Sequence, residues 1–97
     1  MFMRLHVVAS FLARPDSTDA LRQLLVEIVK SVRSDPGCLR CNLVSSLETP
    51  NEYTFIEEWI DRAALDSHLA EPEVEADIVK ILALVSAPPD VRLYTTC

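Results

Sequence analysis

Residues 53–69 read YTFIEEWIDRAALDSHL, and the fold turns on how this stretch is read. Tyr53 to Ile60 has the β-branched and aromatic content of a strand, whose side chains alternate between two faces. Parity then groups Tyr53, Phe55, Glu57 and Trp59 on one face and Thr54, Ile56, Glu58 and Ile60 on the other. From Asp61 the pattern becomes helical: Leu65 and Leu69, four apart, point to the core, and His68 lies at the edge of their stripe. The link between strand and helix is short, so the helix folds back on the strand's own sheet. Three aromatics, a carboxylate and an imidazole are therefore expected around one apolar pocket, with Trp59 in its wall.

Toward the N-terminus, Thr49-Pro50-Asn51 is a turn that joins this strand to another, Cys38 to about Leu47, as an antiparallel hairpin. Before it, Asp35-Pro36-Gly37 breaks a helix, and Gly37, the only glycine, is expected in a backbone conformation closed to other residues. That helix runs from an N-cap at Asp16 or Ser17 to about Arg33, with Leu21, Leu24, Leu25, Ile28 and Val32 as its apolar stripe. Met3 to Ala13 is a first strand, apolar enough on both faces to be central in a sheet. Toward the C-terminus, Pro72 opens a further helical segment with Val74, Ile78, Ile81, Leu82 and Val85 on its apolar side. Pro88-Pro89 stops it, and Val91 to Thr96 is a last strand. The order is β-α-β-β-α-β, an α+β, ferredoxin-like split βαβ arrangement with a four-stranded antiparallel sheet, expected as a single domain over residues 1–97.

Composition narrows the partners. Ninety-seven residues with 49% hydrophobic content is a small chain with more apolar surface than one core needs, which points to a homodimer. A net charge of -6 would repel phosphate backbones, so no nucleic acid is expected. No apolar run reaches membrane-spanning length, and His6, Ser10 and Arg14 interrupt the one stretch that resembles a secretory signal. Those features, and three cysteines without a disulfide framework, favour a cytoplasmic setting. Cys38-Leu39-Arg40-Cys41 has CxxC spacing, but strand residues three apart face opposite sides, so the thiols are expected to diverge and stay free. With no ligand cluster at metal spacing and no Gly-rich phosphate loop, neither metal nor flavin is expected.

Pro36-Gly37-Cys38-Leu39, the Phe55-Ile56-Glu57-Glu58-Trp59 strand and the Ala64-Leu65-Asp66-Ser67-His68-Leu69 helix, in this order, resemble the antibiotic biosynthesis monooxygenase domain family. The resemblance implies a dimeric α/β barrel, two four-stranded sheets face to face with helices outside. It also implies an enzyme that oxygenates a quinol or polycyclic phenol with O₂ and no cofactor, the substrate anion itself supplying electrons. The haem-degrading branch of the family is disfavoured, because Val8, His68 and Ile78 stand nearest the places of its Asn, Trp and His. The Glu71-Pro72-Glu73-Val74 segment also departs from relatives, which often place Ser-Pro, then His and an aromatic there.

On this reading His68 is the acid/base candidate, since imidazole exchanges protons near neutral pH. Glu57 either orients His68 or polarises the substrate, and the competing reading makes it a structural carboxylate paired with Arg4, Arg40 or Arg92. Tyr53, Phe55 and Trp59 are expected to contact substrate. Other roles for the same fold are a small-molecule-binding or sensory dimer, or an isomerase.

Overall fold

The computed structural model describes residues 4–97. It contains strands β1 (Leu5–Leu12), β2 (Cys38–Ser45), β3 (Glu52–Trp59) and β4 (Asp90–Thr95), with helices α1 (Thr18–Arg33), α2 (Arg62–Leu69) and α3 (Pro72–Leu82). All pairings are antiparallel in the order β2-β3-β1-β4, so the apolar first strand is central as expected and the sheet remains open. This is the ferredoxin-like split βαβ arrangement. The expected strand start at Met3 lies outside the described residues.

Register determines what the helices cover. Val7 pairs with Glu57, Ala9 with Phe55 and Phe11 with Tyr53, and residues directly opposite in a ladder share a face. These six are buried under the helices. The other face carries His6, Val8 and Ser10 opposite Glu58, Ile56 and Thr54, and no helix covers it. Helix α1 buries Leu21, Leu25, Ile28, Val29 and Val32, so Val29 joins the expected stripe while Leu24 is only half-buried. Ser17 occupies the N-cap position without a side-chain cap bond, its hydroxyl donating to Asp16 instead. The other end is anchored to β2, where Arg33 Nε donates to the Cys41 carbonyl at 2.8 Å.

Two local expectations are corrected. A register shift between Cys38 and Arg40 makes Leu39 an extra residue, so Cys38 pairs with Trp59 and Cys41 with Glu57. The bulge restores parity across the CxxC, and both cysteines face the helix side as free thiols. Burial and the nearby Glu57 push the Cys41 thiol up to about 12, which removes its thiolate character. Gly37, for its part, has no positive φ; among the described residues the one that does is Asn51, at 71°. A Cβ on Gly37 would lie 2.6 Å from the Ala64 Cβ, so the glycine is required by close approach of α2.

Candidate active site

Asp61 caps α2 by accepting from Ala64 N at 2.8 Å, and the helix turns back over the sheet. Its buried residues are Leu65 and His68, while Leu69 is 44% exposed. The inward stripe thus runs i, i+3, and His68 sits inside it, deeper than at the expected edge.

Between α2, α3 and the helix-side sheet face lies a cavity of about 300 Å³. Phe55, Glu57 and His68 all line it, so the two titratable candidates share one apolar chamber. Val91 and Leu93 of β4 close it at the sheet edge, and Val74, Asp77 and Ile78 of α3 close it on the helix side. Phe55 is held by an edge-to-face contact with Phe11, centroids 5.4 Å apart.

Trp59 takes a different place from the expected wall. It is fully buried behind the chamber, donating Nε1–H to Glu57 Oε1 at 2.8 Å, with its ring 4.8 Å from that of His68. One indole therefore supports both polar groups. Tyr53, on the same face but at the far end of β3, lines a separate groove with Arg22, Val26 and Leu43. Strand length separates it from His68.

His68 is oriented by Asp35, not by Glu57. Its Nδ1 lies 3.2 Å from Asp35 Oδ2, and the other Asp35 oxygen accepts from Gly37 N at 2.9 Å. With Nδ1–H donated to Asp35, Nε2 keeps its lone pair as the ring's proton acceptor. Asp35 escaped the sequence reading because it lies 33 residues away and looked like turn punctuation. The only hint available was an Asp two residues before a glycine, the usual sign of an Asx turn.

Glu57 is not Arg-paired. Arg4 and Arg40 lie at 3.3 and 3.5 Å from Glu58 on the opposite face, and Arg92 pairs with Asp90. Burial pushes the Glu57 carboxyl up, and the Trp59 N–H, together with His68 whenever its ring is protonated, pulls it partly back. A carboxyl and an imidazole facing an apolar space form a pair suited to general acid/base transfer of a proton.

Fold and site together define a small α+β protein with an acid/base chamber between its helices and one face of an open sheet. Residues 4–77 match the family model described as antibiotic biosynthesis monooxygenase, and the chain belongs to that family. It is 36% identical over 66 residues to Rv0793 of Mycobacterium tuberculosis, provisionally named a monooxygenase, covering 68% of this chain and 64% of that one. An uncharacterised protein of Synechocystis sp. is 27% identical over 88 residues, covering 91% of this chain and 60% of its own length. The chain thus spans less than two thirds of both curated relatives. A crystal structure described as antibiotic biosynthesis monooxygenase superposes with a TM-score of 0.89 at 33% identity, covering 96% of this chain and 98% of that one. The family match ends within α3, so the β4 residues of the chamber lie beyond it.

Proposed function

We propose that this protein is a cofactor-independent monooxygenase, acting as a homodimer, that oxidises a quinol or polycyclic phenol with O₂. The observation that carries the reading is His68, anchored through Nδ1 by Asp35 while lining an apolar chamber beside Glu57. Nε2 takes the phenolic proton, and the phenolate is the electron-rich species that reacts with O₂. One oxygen atom replaces a ring C–H as a carbonyl and the other leaves as water, with all four electrons coming from the substrate. The apolar walls contributed by Phe55, Leu65 and Ile78 hold the ring and limit water at the reacting carbon. Glu57 accepts a hydrogen bond from a second substrate hydroxyl or donates one when protonated. Trp59 acts by holding both groups, and Phe55 touches the substrate directly.

The family model and the provisional monooxygenase name of a relative support the reaction class; the phenolic substrate is what the family resemblance implies, and an apolar chamber holding an acid/base pair is compatible with it. Oxygen consumption with a panel of naphthols, anthrones and quinols, with product mass showing one oxygen gained and two hydrogens lost, tests it. His68→Ala is expected to lower turnover by about two to four orders of magnitude while the protein stays folded. Binding without oxygen uptake across the panel would favour a sensory role, and ligand conversion independent of O₂ an isomerase.

A further inference from the structure

The outer side of the His68 ring has a constellation that the oxygenation reading leaves unused. Asp35 from the α1–β2 loop, His68 from the last turn of α2 and Glu71 at the start of α3 bring one ligand atom each to within 4.8 Å of one another. We propose that these three residues bind a divalent transition-metal ion, with Zn²⁺ the best match, and that the ion switches what His68 presents to the chamber.

The geometry fits with little adjustment. Zinc bonds imidazole nitrogen and carboxylate oxygen at about 2.0 to 2.2 Å, so two of its tetrahedral ligands stand roughly 3.3 Å apart. The Asp35 and His68 atoms are already 3.2 Å apart. Glu71 is exposed, so its side chain is free to turn toward the other two ligands. Its backbone is fixed, Glu71 N donating to the His68 carbonyl and the Glu71 carbonyl accepting from Val74 and Glu75, each at 3.1 Å. Three ligands leave a fourth position for water.

The charges fit as well. Among the described residues neither Asp35 nor Glu71 is paired with a Lys or Arg, so two carboxylates converge with no cation between them. His68 is only 7% exposed, which fixes the direction of its nitrogen. The imidazole ligand selects zinc, nickel or copper over magnesium and calcium, which take oxygen donors. Gly37 N keeps one Asp35 oxygen oriented, as an outer hydrogen bond does for a metal ligand.

The consequence follows from the tautomer. An ion on Nδ1 needs that lone pair, so the neutral ring carries its proton on Nε2 and presents a donor where it had presented an acceptor. No net proton is released; it moves from one ring nitrogen to the other. His68 then cannot accept a phenolic proton, and zinc inhibits. This last step rests on the reading of His68 as base, whereas binding does not.

The test is calorimetric titration of Zn²⁺ into the full chain with Cys97→Ser, which removes the exposed thiol, alongside the same protein carrying Glu71→Gln. One ion per protomer is expected, with Glu71→Gln weakening binding by at least the roughly 10- to 100-fold that a lost outer-shell partner costs a metal site. Nitrogen NMR of His68 should show Nδ1 protonated without metal and Nε2 protonated with it. Equal affinity in the two proteins, or unchanged His68 resonances at saturating zinc, would overturn the site. If zinc binds as described and turnover of a verified phenol is unaffected, the switch fails and His68 is not the base, while the metal site stands.

Discussion

Burial raises the Glu57 carboxyl while the Trp59 N–H, and His68 in its protonated form, lower it, so the net upward shift reflects how poorly the chamber replaces water. A carboxyl whose folded value lies above its unfolded value favours folding in its protonated form. Its contribution is complete below the ordinary value of 4.5 and is lost as pH rises through the folded value. Glu57→Gln keeps an oxygen acceptor for Trp59 Nε1 and never charges. The variant should therefore be more stable than the wild type at about pH 7, by on the order of 1 kcal/mol, or several degrees in Tm for a domain of this size. Below about pH 4 the gap should close. Trp59→Phe acts in the opposite direction. It removes the donor at 2.8 Å, lets the carboxyl rise further, and should cost about 1 to 3 kcal/mol, more at neutral than at acid pH. Thermal melts across pH decide both, and a wild type as stable as Glu57→Gln at neutral pH would show that the carboxylate is better compensated than its surroundings imply.

At the scale of elements, the site depends on how closely α2 approaches the loop before β2. Gly37 donates to Asp35, its carbonyl accepts from Ile60 N at 3.0 Å, and it faces Ala64 on α2, so it ties together the segments that carry Asp35 and His68. Gly37→Ala would force two backbone-anchored methyl carbons to 2.6 Å, and it should destabilise by about 1 to 3 kcal/mol and loosen the Asp35–His68 contact. Ala64→Gly alone should cost about 1 kcal/mol of helix propensity, yet in its presence Gly37→Ala should be nearly tolerated. A double-mutant cycle by denaturant unfolding checks this; purely additive costs would contradict the contact. The same region marks the limit of what could be read from residues alone. Strand parity placed Glu57 beside Phe55 and Trp59, and the short link brought His68 over them, because both depend on local periodicity. Asp35 depends on a loop and a helix meeting across 33 positions, which no local pattern encodes. The Leu39 bulge reversed the CxxC reading because parity counts residues, and one unpaired residue shifts the count.

For the whole molecule, the face of the sheet away from the helices is the outstanding problem. A monomer of 10.9 kDa is expected to expose about 5,600 Å², and this chain exposes 6341 Å². Val44, Ile56 and Tyr94, exposed by 42%, 45% and 48%, project from three strands on this face. Glu58 sits among them with only 12% of its side chain exposed, contacted by Arg4, His6 and Arg40, so its charge is already compensated for burial. The proposed dimer would form here, sheet against sheet, leaving each chamber intact on the far side. Ile56→Glu is the direct test. It places an unpaired carboxylate at the middle of this face, two-fold symmetry enters it twice, and each buried unpaired charge costs about 3 to 5 kcal/mol. The variant should run as a folded monomer by light scattering at micromolar concentration, with the Asp35–His68 contact preserved because Ile56 points away from the chamber. A wild-type protein that is itself monodisperse as a monomer, or an Ile56→Glu protein that still dimerises, would place the interface elsewhere.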